Sequence, residues 1–206
     1  MKRHKDIAFI AILAAAVIVT IGFTIAYIGR AMHPAVLLRE EAYIYFDGAE
    51  QVTTGIYRFE NRLPMNIAIP LEYTFSGADG LGGASVDNVN FESSLNSGVL
   101  DYTFTNRQMI KFELHIPPFD DGLLTVKYRQ PVMGEHLGYV VQSAKSWELA
   151  TKGAAVYLKL PEGYEIAEPA AKWVPAEGTD WDWKMEFTKE PDKFVDIIIA
   201  KIDEPE

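Results

Sequence analysis

The chain contains no cysteine. That absence removes disulfides, thiolate metal ligands, cysteine nucleophiles and a lipid-modified cysteine anchor together. Asn-x-Ser/Thr is missing too: Asn61, Asn66, Asn88, Asn90, Asn96 and Asn106 all lack the Ser or Thr two places on. The missing acceptor site favours a prokaryotic cell envelope as the setting. Basic residues are outnumbered, 19 Lys and Arg against 29 Asp and Glu, for a net charge of −10. Lys2, Arg3, Lys5 and Asp6 give the first six residues +2, so the rest carries −12. A charge of that sign excludes binding to nucleic acid or to an anionic lipid surface through bulk electrostatics. Helical stripes are absent after residue 36, which argues against any bundle.

Two things are abundant: apolar residues, at 49%, and one long uncharged run. Residues 7–29, IAFIAILAAAVIVTIGFTIAYIG, hold no charge. As a helix they would be roughly 34 Å long, enough to cross a hydrocarbon core of about 30 Å. The run exceeds the apolar core of a cleaved signal peptide, and Tyr27 and Met32 spoil most small-x-small cleavage registers after it. Basic residues precede it, and Arg30 and Arg39 follow. The expected topology is a cytoplasmic tail (1–6), a single transmembrane helix (7–29), a juxtamembrane linker (30–39) and an extracytoplasmic domain (40–206) at the cell membrane. Within the run, Ala8, Ala15, Gly22 and Gly29 recur in heptad register, with Ala11, Ile18 and Ile25 between them. On a helix these share one face, and a seam of small residues lets a partner helix approach closely.

The outer part reads as strands. AYIYF before Asp47-Gly48, QVTTGIYRFE at 51–60 and NIAIPLEYTF at 66–75 are β-branched and aromatic. Pro70 marks the third as an edge strand or a bulge. Residues 76–97 are rich in Gly, Ser, Asn and Asp, with room for one strand near Val86–Phe91. Further strands are expected at 98–105, 108–116, 123–130, 137–142, 154–160, 180–187 and 194–202. In the second of these Ile110, Phe112, Leu114 and Ile116 alternate with Lys111, Glu113 and His115, a half-buried pattern. About ten short strands spaced by turn residues predict an all-β, antiparallel, immunoglobulin-like sandwich, in one or two units, with 117–122 as the subdivision point.

Chemistry-bearing residues are sparse. His4, His33, His115 and His136 show no HxH or HExxH spacing, so no metal is assigned to them. Asp79, Asp87, Asn88 and Asn90 are oxygen ligands a calcium ion accepts, but their spacing misses the twelve-residue loop and loop solubility explains them equally. There is no G-x-S-x-G, and Ser143 and Ser146 have no local partner. Asp120/Asp121 and Glu40/Glu41 read as solvated pairs at turns or strand edges. Trp181, Trp183, Met185 and Phe187 alternate onto one face and read as core. Trp147 completes the tryptophans with Trp173, which lies between Pro169 and Pro175 and reads as the exposed aromatic.

Two stretches carry a family likeness. One is GIYRFENRLPMNIAIPLEYTF, with Phe59-x-Asn61 closing its first strand. The other runs from LTVKYRQP through GYVVQSAKSWELATKGAAVYLKLPEGYEI, with Tyr128, Gln130, Tyr139, Ser146-Trp147 and Leu160-Pro161 in order, and Pro191-Asp192 before DIIIAKI. The whole resembles prokaryotic membrane-attached or secreted β-domains, and the first stretch is similar to the β-domain of inter-alpha-trypsin-type proteins. The resemblance implies an all-β extracytoplasmic fold and brings no catalytic residues. The expectation is a non-enzymatic accessory or interaction subunit of a membrane complex, without cofactor and without nucleic acid. A cell-wall or glycan-binding module is the alternative, and a hydrolase comes last.

Overall fold

The computed structural model describes residues 18–22, 35–75, 83–132, 134–141, 153–169, 172–187 and 194–202. Residues 18–22 are helical. They are all that the described residues include of the apolar run, so the expected span and the tail before it lie outside them. Among the described residues no helix is long and apolar enough to cross a membrane. Of the seam, Ile18 and Gly22 are described; Ala8, Ala11, Ala15, Ile25 and Gly29 are not.

Residues 35–206 form one compact unit of their own. It is built from β1 (Ala35–Phe46), β2 (Glu50–Asn61), β3 (Ile67–Thr74), β4 (Ser85–Ser93), β5 (Ser97–Val99), β6 (Thr103–Asn106) and β7 (Met109–Ile116). It continues with β8 (Asp121–Pro131), β9 (His136–Val140), β10 (Ala154–Lys159), β11 (Tyr164–Glu168), β12 (Val174–Pro175), β13 (Trp183–Phe187) and β14 (Phe194–Lys201). The described residues of this unit are mostly β and mainly antiparallel, as their alternation predicts. One large sheet has the order β12-β13-β10-β1-β2-β8-β4-β5; two small ones are β11-β14-β9 and β3-β7-β6. The single parallel pairing among the described residues is β1 with β10, from Glu40↔Ala154 to Tyr45↔Lys159.

Both small sheets pack on the same face of the large one. The first core joins Tyr57 and Phe59 of β2 and Leu124, Val126 and Tyr128 of β8 to Tyr73, Ile110 and Leu114 of the β3-β7-β6 sheet. The second joins Ala42, Ile44 and Phe46 of β1 and Val156 and Leu158 of β10 to Leu137, Tyr139, Ile197 and Ile199. Strand β1 serves both, because Ala35 and Leu37 sit in the first core. A bulge between Leu37 and Arg39 makes this work. Alternation alone would send the two halves of β1 to opposite faces, and the extra residue restores the inward set.

Several expectations need correcting. The linker does not run to residue 39: β1 begins at Ala35, since Ala35–Leu37 pair with Asn61–Phe59 and are buried. Residues 117–122 do not divide the unit. They hold the turn between β7 and β8, and the two cores are joined through β1. Strands β11 and β12 carry no periodic signal, being short or broken by Pro175. Pro70 does lie on an edge strand, β3.

Candidate functional site

Where the two cores meet, the inner face of the large sheet turns polar. Alternation back from Phe46, Ile44 and Ala42 carries Glu40 to the interior, only 1% exposed. This corrects the reading of Glu40 as a solvated strand-edge carboxylate. Its Oε1 accepts from the Tyr139 hydroxyl at 2.7 Å. Tyr139 Oη lies 2.6 Å from Tyr57 Oη, and Tyr57 Oη lies 2.9 Å from Tyr73 Oη. Tyr139 donates to Glu40 and Tyr57 donates to Tyr73, while between Tyr139 and Tyr57 either hydroxyl can be the donor. Four strands are tied by this relay: β3, β2, β9 and β1.

Gly55 makes room for it. A Cβ there would stand 2.5 Å from Tyr57 Oη and 2.8 Å from its Cε2, so the ring lies along the glycine. Burial pushes the hydroxyls of Tyr57, Tyr73 and Tyr139 well above the ordinary tyrosine range, and the negative charge of Glu40 adds to the rise at all three. Beside this chain Gln51 grips the edge strand β9: its Nε2 donates to Gly138 O at 2.7 Å and its Oε1 accepts from Gly138 N at 3.0 Å. A side-chain amide thus closes a ladder that backbone pairing leaves open. Asn61 does the same for the turns. Its Nδ2 donates to Met65 O, Ile116 O and Pro117 O at 2.8, 3.1 and 2.7 Å, and its Oδ1 accepts from Leu63 N at 2.8 Å.

A hydroxyl chain ending on a carboxylate can move a proton, but only a substrate that reaches it makes chemistry. Tyr57, Tyr73, Tyr139 and Glu40 are at most 1% exposed. Two of the grooves on the described residues lie elsewhere and are not lined by these four. The first, about 320 Å³, lies between Leu38, Arg39, Gly153, Ala154, Ala155, Glu186 and Phe187. The second, about 460 Å³, is walled by Arg58, Glu92, Ser94, Asp120, Asp121 and Leu123. In it Asp121 is ion-paired with Arg58, and Asp120 Oδ2 accepts from Ser94 N and Oγ at 3.0 and 2.6 Å. Those bonds hold the Asp120 carboxyl below its usual range.

Side chains from several strands also line up across the outer face of the large sheet. One cross-strand row runs Asn88, Lys127, Thr54, Tyr43, Tyr157, Lys184, Val174. Tyr43 and Tyr157 stack at 4.8 Å with 7° between planes, and Trp181 tilts against Tyr43 at 5.2 Å. Lys184 Nζ sits 5.6 Å from the Tyr157 centroid. Burial, with Glu41 close by, raises the Tyr43 hydroxyl to about 12. Tyr45 stands further along on the same face, 39% exposed. Ion pairs flank the aromatics: Arg39–Glu41 at 2.7 Å, Lys184–Glu186 at 2.5 Å and Arg129–Asp87 at 3.1 Å.

The remaining candidates do not converge. His115 lies on the polar face of β7 against Glu113, and His136 opens β9 beside Asp196. Among the described residues no group of three His, Asp or Glu is placed to hold a metal ion. Asp87, Asn88 and Asn90 lie on β4; Asp79, Ser143, Ser146 and Trp147 fall outside the described residues. Trp173 is not exposed but packed in the second core, because the short strand β12 folds its loop back on β13. Trp183, Met185 and Phe187 join that core, while Trp181 packs with Tyr43 and Tyr157 on the other side.

No protein-family model and no curated protein matches the chain. Solved structures do. A "putative nutrient binding protein" from Legionella pneumophila is similar over 82% of this chain and 67% of its own, with 9% identity and a TM-score of 0.57. A "putative protease" from Parabacteroides distasonis covers 82% of this chain and 40% of its own at 8% identity, with a TM-score of 0.41 that carries no argument. At such identities the first likeness is one of fold alone.

Proposed function

We propose that this protein is a non-enzymatic interaction subunit, held at the cell membrane by residues 7–29 with its β unit outside, and that it meets protein partners through the outer face of the large sheet. The observation that carries this reading is the division of labour between the two faces of that sheet. Polar chemistry is sealed inside, while Tyr43, Thr54 and Ile56, each half-buried, and the exposed Tyr45 face outward, framed by ion pairs. Apolar and aromatic centres with charged rims are what protein interfaces use. The immunoglobulin-like description belongs to the same reading, supported by antiparallel sheets packed over apolar cores; so does the resemblance to prokaryotic membrane-attached β-domains.

A glycan-binding module is the second reading, and Tyr43, Tyr157 and Trp181 are the residues that favour it. Sugar stacking needs a free aromatic face, whereas Tyr157 has Tyr43 on one side and Lys184 near its ring. The protein-partner reading therefore stands first. Purification from native membranes in mild detergent, followed by mass spectrometry of co-purifying chains, tests it. Stoichiometric membrane subunits are expected, and Tyr45→Glu with Ile56→Glu should release them. Recovery as a clean monomer would refute the reading.

A further inference from the structure

Three loops at one end of the β unit each hold out a large apolar side chain. Leu95 follows β4, Met65 lies between β2 and β3, and Phe119 lies between β7 and β8; they are 74%, 49% and 65% exposed. The loops are tied to one another. Ser94 donates to Asp120, Phe119 N donates to Leu63 O at 3.1 Å, and Asn61 binds both Met65 O and Pro117 O. Phe119 has φ of 53°, the one non-glycine in the left-handed region among the described residues. That conformation is strained for a bulky residue, and strain of this kind is retained where the position of the side chain matters.

This is also the end at which the chain arrives. Ala35, the first residue of β1, pairs with Asn61, and Glu60 pairs with Asp121. Residues 30–34 alone separate Ala35 from the apolar run, and five residues reach at most roughly 17 Å. A bilayer spanned by 7–29 would therefore lie within a short tether of these three loops. We infer that Leu95, Phe119 and Met65 form an apolar foot that inserts into the lipid interface beside the protein's own anchor. The inference rests on the membrane anchoring proposed above. Charge is not what draws the foot down. Arg62 pairs with Glu60, Arg58 with Asp121, and Asp120 and Glu92 leave the surroundings acidic. The lipid contact is apolar and does not need anionic headgroups.

The full chain, reconstituted alone into phosphatidylcholine vesicles, tests this. Phe119→Trp reports from the foot. Phe104→Trp reports from a comparably exposed aromatic at the opposite end, where β6 pairs with the start of β7. The unsubstituted chain supplies the blank for the native tryptophans. Bromines high on the acyl chains should quench the emission added by Phe119→Trp about twofold, since side chains of such feet sit about 5–10 Å deep, at the headgroup boundary. The emission added by Phe104→Trp should lose none beyond the blank, and adding salt should change neither result. Resistance to alkaline carbonate extraction, measured on the same vesicles, reports on the anchor separately. An anchored chain whose foot reporter is quenched no more than the opposite-end reporter overturns the foot and leaves the anchor standing. Release by carbonate overturns both. Quenching of the foot reporter that disappears in salt overturns the apolar mode.

Discussion

Alkaline titration of the tyrosines tests the buried relay most directly. The chain has ten tyrosines, and Tyr57, Tyr73 and Tyr139 are sealed at the junction of the cores. Their native hydroxyls are pushed well above the ordinary value by burial, with Glu40 adding to the rise. In the unfolded chain they ionise near pH 10. A raised native value means that the stabilisation is fully present below about pH 10 and is lost as pH climbs further. Above that point the native state holds three protons that the unfolded state has released. Each is worth about 1.4 kcal/mol per pH unit, so stability should fall by at least about 4 kcal/mol per unit, with the raised Tyr43 hydroxyl adding to the fall. A domain starting with about 5–15 kcal/mol would then unfold within roughly one to four units. Urea midpoints taken at intervals from pH 8 to pH 11.5, with phenolate absorbance at 295 nm, measure both the slope and the coincidence of ionisation with unfolding. Tyr57→Phe should lower the slope by about 1.4 kcal/mol per pH unit, as one buried proton disappears. Smooth ionisation of all ten tyrosines while near-ultraviolet dichroism stays native would show that the relay is open to solvent, and the reasoning would fail.

Three further outcomes are expected. Gly55→Ala should place a methyl group against the Tyr57 hydroxyl and lower stability by about 2–4 kcal/mol through overpacking and lost hydrogen bonds, with a urea midpoint unchanged within error counting against a clamped ring. Asn61→Ala leaves the carbonyls of Met65, Ile116 and Pro117 and the amide of Leu63 without their side-chain partner, and should cost about 3 kcal/mol in the same assay; a loss below about 1 kcal/mol would mean water replaces the amide. Gly22→Leu should separate the subunit from its complex while the β unit stays folded, Ile21→Leu should not, and equal partner recovery with both would reduce the seam to ordinary span composition.

Much of the fold was legible because most strands are half-buried and alternate cleanly. β7 is the plainest case: Ile110, Phe112, Leu114 and Ile116 face the core, and Lys111, Glu113 and His115 face solvent. β11 and β12 escape notice because five and two residues are too few for periodicity to register. Trp173 misleads for a related reason. Prolines on both sides mark a loop, and nothing local says that a loop folds back into a core. Glu40 was within reach. The period that places Ala42, Ile44 and Phe46 inside carries back to it, but a charged pair invites the solvated reading and overrides the pattern. The bulge after Leu37 was out of reach, since one extra residue leaves no mark in composition. The relay is hidden for a deeper reason: its three tyrosines and its glutamate come from four strands whose meeting depends on sheet order.

Sheet order also decides how the unit bears force. Anything that holds the chain upstream of Ala35 pulls on β1, and β1 is an interior strand with neighbours on both sides. Its antiparallel ladder with β2 extends from Ala35↔Asn61 to Phe46↔Gln51, and its parallel ladder with β10 from Glu40↔Ala154 to Tyr45↔Lys159. A load along β1 is carried as shear, with many hydrogen bonds strained together instead of opening one after another. Forced unfolding follows the barrier height and not the equilibrium stability. Hung from its N-terminus, this unit is attached by a strand that is laddered on both sides and cannot peel away from an edge.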